Sequence, residues 1–191
     1  MRNRYILFNK PCGVLCQFSG ESPNLRDYIS VPEVYPAGRL DRESEGLLLL
    51  TDDGRMQHRL AEPKFAHPRT YYAQVERVPD EDALRRLAEG VEVQGYETRP
   101  ARVRLLQTVP DLPPRTPPIR FRKSVPTAWI ELTLIEGRNR QVRHMTAAAG
   151  HPTLRLVRVA IGDLRLDGLE PGKWRDAAPR ELRYLETLTG A

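Results

Sequence analysis

Cysteine is almost missing. Only Cys12 and Cys16 occur in 191 residues, too few for a disulfide scaffold and without the partners of a four-ligand zinc site. Both are expected to be reduced thiols. The four histidines, His58, His67, His144 and His151, fall at no ligand spacing, so no metal site is expected. No apolar run reaches the 18 or so residues of a membrane-spanning helix. The opening stretch MRNRYILFNKPCG lacks the long apolar segment and small-residue cleavage site of a secretory signal, and a cytoplasmic protein with no membrane partner is expected. There is also no glycine-rich phosphate loop, no HExxH, no paired CxxC and no GxSxG. These absences exclude the commonest nucleotide, zinc-peptidase and serine-hydrolase sites, and no cofactor is expected.

What is present is charge of a particular kind. The formal net charge is +5, and only four of the thirty basic residues are lysine. Arginine grips phosphate bidentately and stacks on bases, whereas lysine is mainly a point charge. On composition alone, an anionic partner and a coding preference for arginine fit equally well. Apolar residues make up 40% of the chain, enough for one large domain or two small lobes with a substantial core.

Along the chain, Tyr5-Ile6-Leu7-Phe8 reads as a strand ended by the Lys10-Pro11-Cys12-Gly13 turn. Residues 24–30 (NLRDYIS) fit a short helix capped by Asn24. Then comes GRLDRESEGLLLLTDDG, from Gly38 to Gly54. Leu47 to Leu50 form a core strand, Asp52-Asp53-Gly54 is turn chemistry, and the preceding charges stand where a loop enters a rigid element, a common place for a chemical site. Helices are predicted at 55–61, 80–89 (Asp80 capping, Gly90 stopping) and 139–149. Strands are predicted at 70–77, 127–135 and about 182–187, with short ones between 91 and 106 and a pair within 153–166 turning at Gly162-Asp163. Strands outnumber helices and do not alternate with them, which gives an α+β fold. Residues 110–126 (PDLPPRTPPIRFRKSVP) hold six prolines, which forbid a helix. Arg115, Arg120, Arg122 and Lys123 make this arm basic. It is either a phosphate-contacting arm or a solvated loop.

Three places set charge beside glycine at the edge of an apolar segment: Lys10-Pro11 with Gly13, Gly38-Arg39-Leu40-Asp41, and Glu136-Gly137-Arg138-Asn139-Arg140-Gln141-Val142-Arg143. In order and spacing they resemble the pseudouridine synthases of the small-subunit synthase A family. GRLDRESEGLLLLTDDG is similar to that family's catalytic signature, NKPCG to its first motif, LIEGRNRQVRHM to its third, and HPRTYY to the segment carrying its active-site tyrosine, with Arg69 where many relatives have lysine. The likeness runs from Asn9 to about Arg158. Within the family, TLRLVRVAIGDLRLDGLEPGKWR and the basic arm most resemble the ribosomal large-subunit synthase E group, which lacks the N-terminal S4 RNA-binding domain common elsewhere. The resemblance implies a mixed, largely antiparallel sheet in two lobes around a central cleft, one catalytic domain over 1–191 without an S4 domain, and a monomer.

It also implies a reaction, the isomerisation of one uridine in 23S ribosomal RNA, free or in an assembling large subunit. The glycosidic bond breaks, the base turns and a carbon–carbon bond forms to the same sugar, with no redox change or external group. Asp41 matches the catalytic aspartate, acting either by covalent attack or by accepting a ribose proton. Arg143 matches its basic partner. Tyr71 matches the tyrosine, whose ring can stack on a flipped base and whose hydroxyl can relay a proton, and Tyr72 should face the other way. Leu134 and Val142 would wall the pocket. Arg39 either fills space beside the extruded base or touches phosphate. Lys10, Arg138 and Arg140 are expected RNA contacts, together with the arm. Arg42, Glu43 and Glu45 are expected to form a charge network that fixes the loop. A non-catalytic RNA binder and a two-carboxylate glycosidase remain as other classes, and release of uracil would mark the last.

Overall fold

The structure is a computed structural model and describes residues 3–119 and 125–189. The expected contacts Arg120, Arg122 and Lys123 lie outside the described residues. In chain order the strands and helices are β1 (Tyr5–Lys10), β2 (Tyr35–Pro36), β3 (Glu45–Thr51), α1 (Gly54–Ala61), β4 (Arg69–Glu76), α2 (Glu81–Glu89), β5 (Glu92–Val93), β6 (Tyr96–Glu97), β7 (Arg102–Leu105), β8 (Thr127–Leu134), α3 (Gln141–Ala148), β9 (Thr153–Ile161), β10 (Leu164–Arg165), β11 (Trp174–Asp176) and α4 (Pro179–Thr189). The fold is α+β with largely antiparallel pairing, as expected. It divides into two compact units. One joins the described residues up to His67 to those from Arg158 onward, and the other is Pro68–Val157. No helix among the described residues is long and apolar enough to cross a membrane.

In the first unit the strands run in the order β11-β1-β3, antiparallel, with Phe8 opposite Leu48 and Ile6 opposite Leu50. All four leucines of β3 are buried. Alternation explains this, because successive side chains point to opposite faces and both faces are covered. Leu48 and Leu50 join Ile6, Phe8, Leu25 and Ile29 in one cluster, while α1 packs on β3 and on α4. Local chemistry fixes the helix starts. Asn24 and Asp27 form a reciprocal capping box around a short 3-10 turn. Asp53 caps α1 by accepting from the backbone N–H groups of Arg55 (2.9 Å) and Met56 (3.1 Å), and it also takes the Tyr5 hydroxyl at 2.7 Å. Burial, with Asp53 alongside, pushes the Tyr5 phenol up to about 12.

The expected strand at 182–187 is instead part of α4. Pro179 opens the helix, Glu181 reaches back to accept from the Ala178 N–H at 2.7 Å, and buried Leu185 follows Leu182 at helical spacing. Glu181 also takes a two-bond grip from Arg175 at 2.6 and 2.8 Å, and that pairing holds its carboxyl below the ordinary range.

The second unit contains the order β4-β8-β7. Tyr71, Ala73 and Val75 share one face of β4 and join Ile130, Leu132, Leu134, Val142 and Met145 in its core, so Tyr72 faces the other way, as alternation predicts. Asp80 caps α2 through the Ala83 N–H at 2.8 Å, and Gly90 ends it at φ +122. The arm's described part, up to Ile119, has no helix or strand. It is nonetheless docked. Arg155 donates to the Pro113 carbonyl at 2.8 Å, and Arg115 donates to the Leu154 carbonyl at 3.5 Å. β9 then carries the chain back to the first unit and turns through Gly162-Asp163 into β10.

Candidate active site

Asp41 stands half-buried in the loop that enters β3. The turn that carries it is closed twice by Ser44. Its N–H donates to the Asp41 carbonyl at 3.1 Å, and its buried hydroxyl donates to Asp41 Oδ2 at 3.4 Å.

The turn after β1 grips the same loop at Arg42. The Lys10 side chain is 0% exposed. Its ammonium donates to the carbonyls of Pro11 (2.9 Å), Val14 (2.8 Å) and Arg42 (3.3 Å), so three N–H groups meet three acceptors. The Gly13 N–H also reaches the Arg42 carbonyl at 2.7 Å, and Arg42 Nε returns a bond to the Gly13 carbonyl at 3.2 Å. Burial pushes the Lys10 ammonium down to about 8, against the opposing pull of Cys16, Cys12, Glu45 and Asp41. The expectation that Lys10 touches RNA is therefore corrected, because a side chain with no surface offers nothing to a phosphate. Arg42, expected in a network within the loop, pairs outward with Glu21 at 3.2 Å.

The loop's exit is held from β9. Gly46 has φ +104, and a Cβ there would lie 2.3 Å from the Arg158 carbonyl oxygen, so only glycine lets the two backbones approach. The buried Arg158 side chain donates through Nε to the Leu47 carbonyl at 2.8 Å and through Nη1 to the Arg39 carbonyl at 3.4 Å.

In the second unit, the loop before α3 is organised around buried Glu136. Its Oε1 accepts from the Arg99 N–H at 2.9 Å and from the Gln141 side chain. Gln141 in turn accepts from the Arg138 N–H at 3.0 Å. α3 starts at Gln141 rather than at the expected Asn139, because Arg140 takes the left-handed conformation at φ +49. Arg138 is exposed and lies over the Tyr96 ring, 3.8 Å from its centroid. The Arg69 guanidinium lies beside Gly137, so HPRTYY meets the third motif here.

Among the remaining expected site residues, Tyr71 is half-buried opposite Leu132. Arg143 is half-buried on α3 and donates to the Thr153 carbonyl at 3.4 Å. Asp41 belongs to the first unit, and Tyr71 and Arg143 to the second. Arg39 and Arg140 are exposed. Leu134 and Val142, expected as pocket walls, are interior members of the second core at 2% and 4% exposure, so packing accounts for them. Arg115 is half-buried and donates one hydrogen bond to the Leu154 carbonyl at 3.5 Å. Ser44, Glu136 and Arg158 were not anticipated. Arg158 did carry a signal, as an arginine inside the apolar strand LRLVRVAI.

The family described as RNA pseudouridylate synthase matches residues 4–148. The chain is 57% identical over 170 residues to the ribosomal large subunit pseudouridine synthase E of Xanthomonas axonopodis pv. citri (strain 306), a match covering 87% of this chain and 90% of that protein. To the ribosomal small subunit pseudouridine synthase A of Yersinia pestis it is 33% identical over 186 residues, covering 94% of this chain and 71% of that protein. A crystal structure of a pseudouridylate synthase is similar at a TM-score of 0.80 and 32% identity, over 96% of this chain and 74% of that one.

Proposed function

The chain belongs to the RNA pseudouridylate synthase family, and from that premise we propose that it converts one uridine of large-subunit, 23S ribosomal RNA to pseudouridine, with Asp41 as the reacting carboxylate. The mount of Asp41 carries this reading. A half-buried carboxylate sits on a short turn closed by Ser44, and the flanks of that turn are fixed by Lys10 and Arg158. Such a group is oriented before the substrate arrives, which is what a positioned catalyst requires. The 57% identity to a protein named as a large-subunit synthase supports the choice of RNA.

The reaction balances without any added group. The bond from the ribose C1′ to N1 breaks, the uracil turns, C1′ bonds to C5, and the hydrogen displaced from C5 is replaced by one on N1. Asp41 either attacks the sugar or takes a ribose proton. Tyr71 is assigned to the extruded base, which must leave its stack to be reached, and Arg143 is assigned as the basic partner of the carboxylate. Arg39, Arg138 and Arg140 are exposed guanidinium groups suited to phosphate or base faces. The enzyme is read as a cytoplasmic monomer built as one catalytic domain in two lobes.

The test is single-turnover reaction of the purified protein, in excess, with 23S RNA, followed by mapping of pseudouridine along the product. One converted uridine is expected, with none for Asp41→Asn despite retained RNA binding. Release of uracil, or a comparable rate in the Asp41→Asn protein, overturns the reading.

A further inference from the structure

We propose that Arg158 is a positioning residue for this isomerisation, holding the Asp41 loop by its two ends. The inference rests on Asp41 being the reacting carboxylate. Arg158 lies in β9 among buried Leu156, Val157, Ala160 and Ile161, and is itself 2% exposed. Taking a guanidinium out of water is costly unless its hydrogen-bonding groups are well matched. Among the described residues its Nη2 has no hydrogen-bond acceptor. Its side chain serves two carbonyls, Leu47 at 2.8 Å and Arg39 at 3.4 Å. Packing alone would favour an apolar residue of similar volume at such a place.

The location of those two carbonyls supplies the reason for an arginine. Arg39 stands two residues before Asp41, and Leu47 is the first residue of the leucine run after it. One planar group therefore spans the loop's entry and exit. The Gly46–Arg158 backbone approach makes this possible by closing β9 against the loop's exit. The planar fork fixes the directions of both bonds, which a rotating ammonium cannot do. Arg158 acts through the loop and needs no contact with RNA, so its loss should lower the rate of the bound complex and leave binding alone. This separates it from a phosphate contact, whose loss weakens binding and flattens the salt dependence.

The experiment is single-turnover pseudouridine formation over a range of enzyme concentrations with Arg158→Met, Arg158→Lys and Asp41→Asn, each checked for a cooperative thermal melt. Arg158→Met should reduce the saturating rate by about 100-fold, the scale of an ångström-sized misplacement. Arg158→Lys should be intermediate, and the half-saturating concentration of both should stay within about twofold of the parent. A folded Arg158→Met protein with the parent's saturating rate overturns the assignment, as does one whose only defect is weaker RNA binding. If Arg158→Met does not fold, Arg158→Lys decides. A lowered saturating rate with unchanged half-saturation supports the proposal, and the parent's rate overturns it. An active Asp41→Asn protein removes the premise and overturns both readings. An inactive Asp41→Asn protein beside a fully active Arg158→Met protein overturns this one alone.

Discussion

The two motif loops are held by opposite chemistry. The loop of Asp41, in the first unit, is braced by cations. Lys10 and Arg158 are buried and donate to its carbonyls at Arg42, Arg39 and Leu47. The loop of Arg138 and Arg140, in the second unit, is braced by an anion. Buried Glu136 accepts from the Arg99 N–H and from Gln141, which accepts from the Arg138 N–H. In each case the supporting charge is opposite in sign to that of the side chain being presented. This is economical physics, because a brace of opposite sign compensates the exposed charge as well as fixing its backbone, while a brace of like sign would oppose it. Both braces are buried, where hydrogen bonds to charged groups are strongest and least screened.

If the comparison is right, removing a brace should harm what its loop does. The largest effect is expected at Lys10. Lys10→Met keeps the volume of the stem but leaves the carbonyls of Pro11 and Val14 without the Lys10 donor, while the Arg42 carbonyl keeps only its bond from the Gly13 N–H. Each unmet buried carbonyl costs about 1–3 kcal/mol, and the loop can relieve part of that cost only by moving. The saturating single-turnover rate should fall by about 100-fold, with RNA affinity near that of the parent by fluorescence anisotropy. A folded Lys10→Met protein that turns over normally would break the comparison at its first member.

A smaller and different effect is expected at Glu136. Glu136→Ala removes the acceptor of the Arg99 N–H and of Gln141 together, so Arg138 and Arg140 lose their frame. Losing hydrogen bonds to a charged group is worth about 1.5–3 kcal/mol, and a half-saturating RNA concentration about tenfold higher is expected. Glu136→Gln retains an oxygen for the same bonds and should recover most of the affinity. If both variants bind like the parent while the saturating rate collapses, the loop supports chemistry rather than binding, and the contrast between the loops disappears.

These braces were only partly legible in the sequence. The β3 core strand, the Asn24, Asp53 and Asp80 turn and cap positions and the Gly162-Asp163 turn could be read because their causes are local, a few residues of patterned polarity. The motif loops could be read as loops for the same reason. What holds them could not. Lys10 meets Arg42 across 32 residues and Arg158 meets Arg39 across 119, and Lys10 looks like an RNA contact until its burial is known. Arg115 is a smaller case of the same kind, because composition shows that it is cationic but not that the Leu154 carbonyl takes one of its hydrogen bonds. At α4 the local pattern fits two periods. Leu182 and Leu185 suit a helix, and Pro179 with Glu181 signals a start, but the short apolar run also fits a strand, and packing of Leu185 in the interior decides for the helix.

The smallest expected effect sharpens the comparison through pH. Lys10 sits at about 8 in the folded protein because burial disfavours its charge, and an unfolded lysine lies at about 10.4. Between those values the unfolded chain binds the more protons, so Lys10's contribution to the free energy of unfolding increases with pH. The cost of burying the ammonium is fully present below about 8 and is relieved as pH approaches 10.4. The brace moves in the opposite direction. A neutral amine has two N–H groups for three carbonyls, and the Arg42 bond, the longest at 3.3 Å, is the one expected to be given up. Losing one such bond is worth about 0.5–1.5 kcal/mol, so the saturating rate should fall roughly threefold or more as pH rises through 8, while Lys10's own contribution to stability grows. Single-turnover rates and urea melts from pH 7 to 9.5 measure the two trends on the same protein. Lys10→Met has no proton to lose and should flatten the alkaline fall in rate. The same fall in the Lys10→Met protein would assign it to another group and leave Lys10 as a brace whose charge state is immaterial.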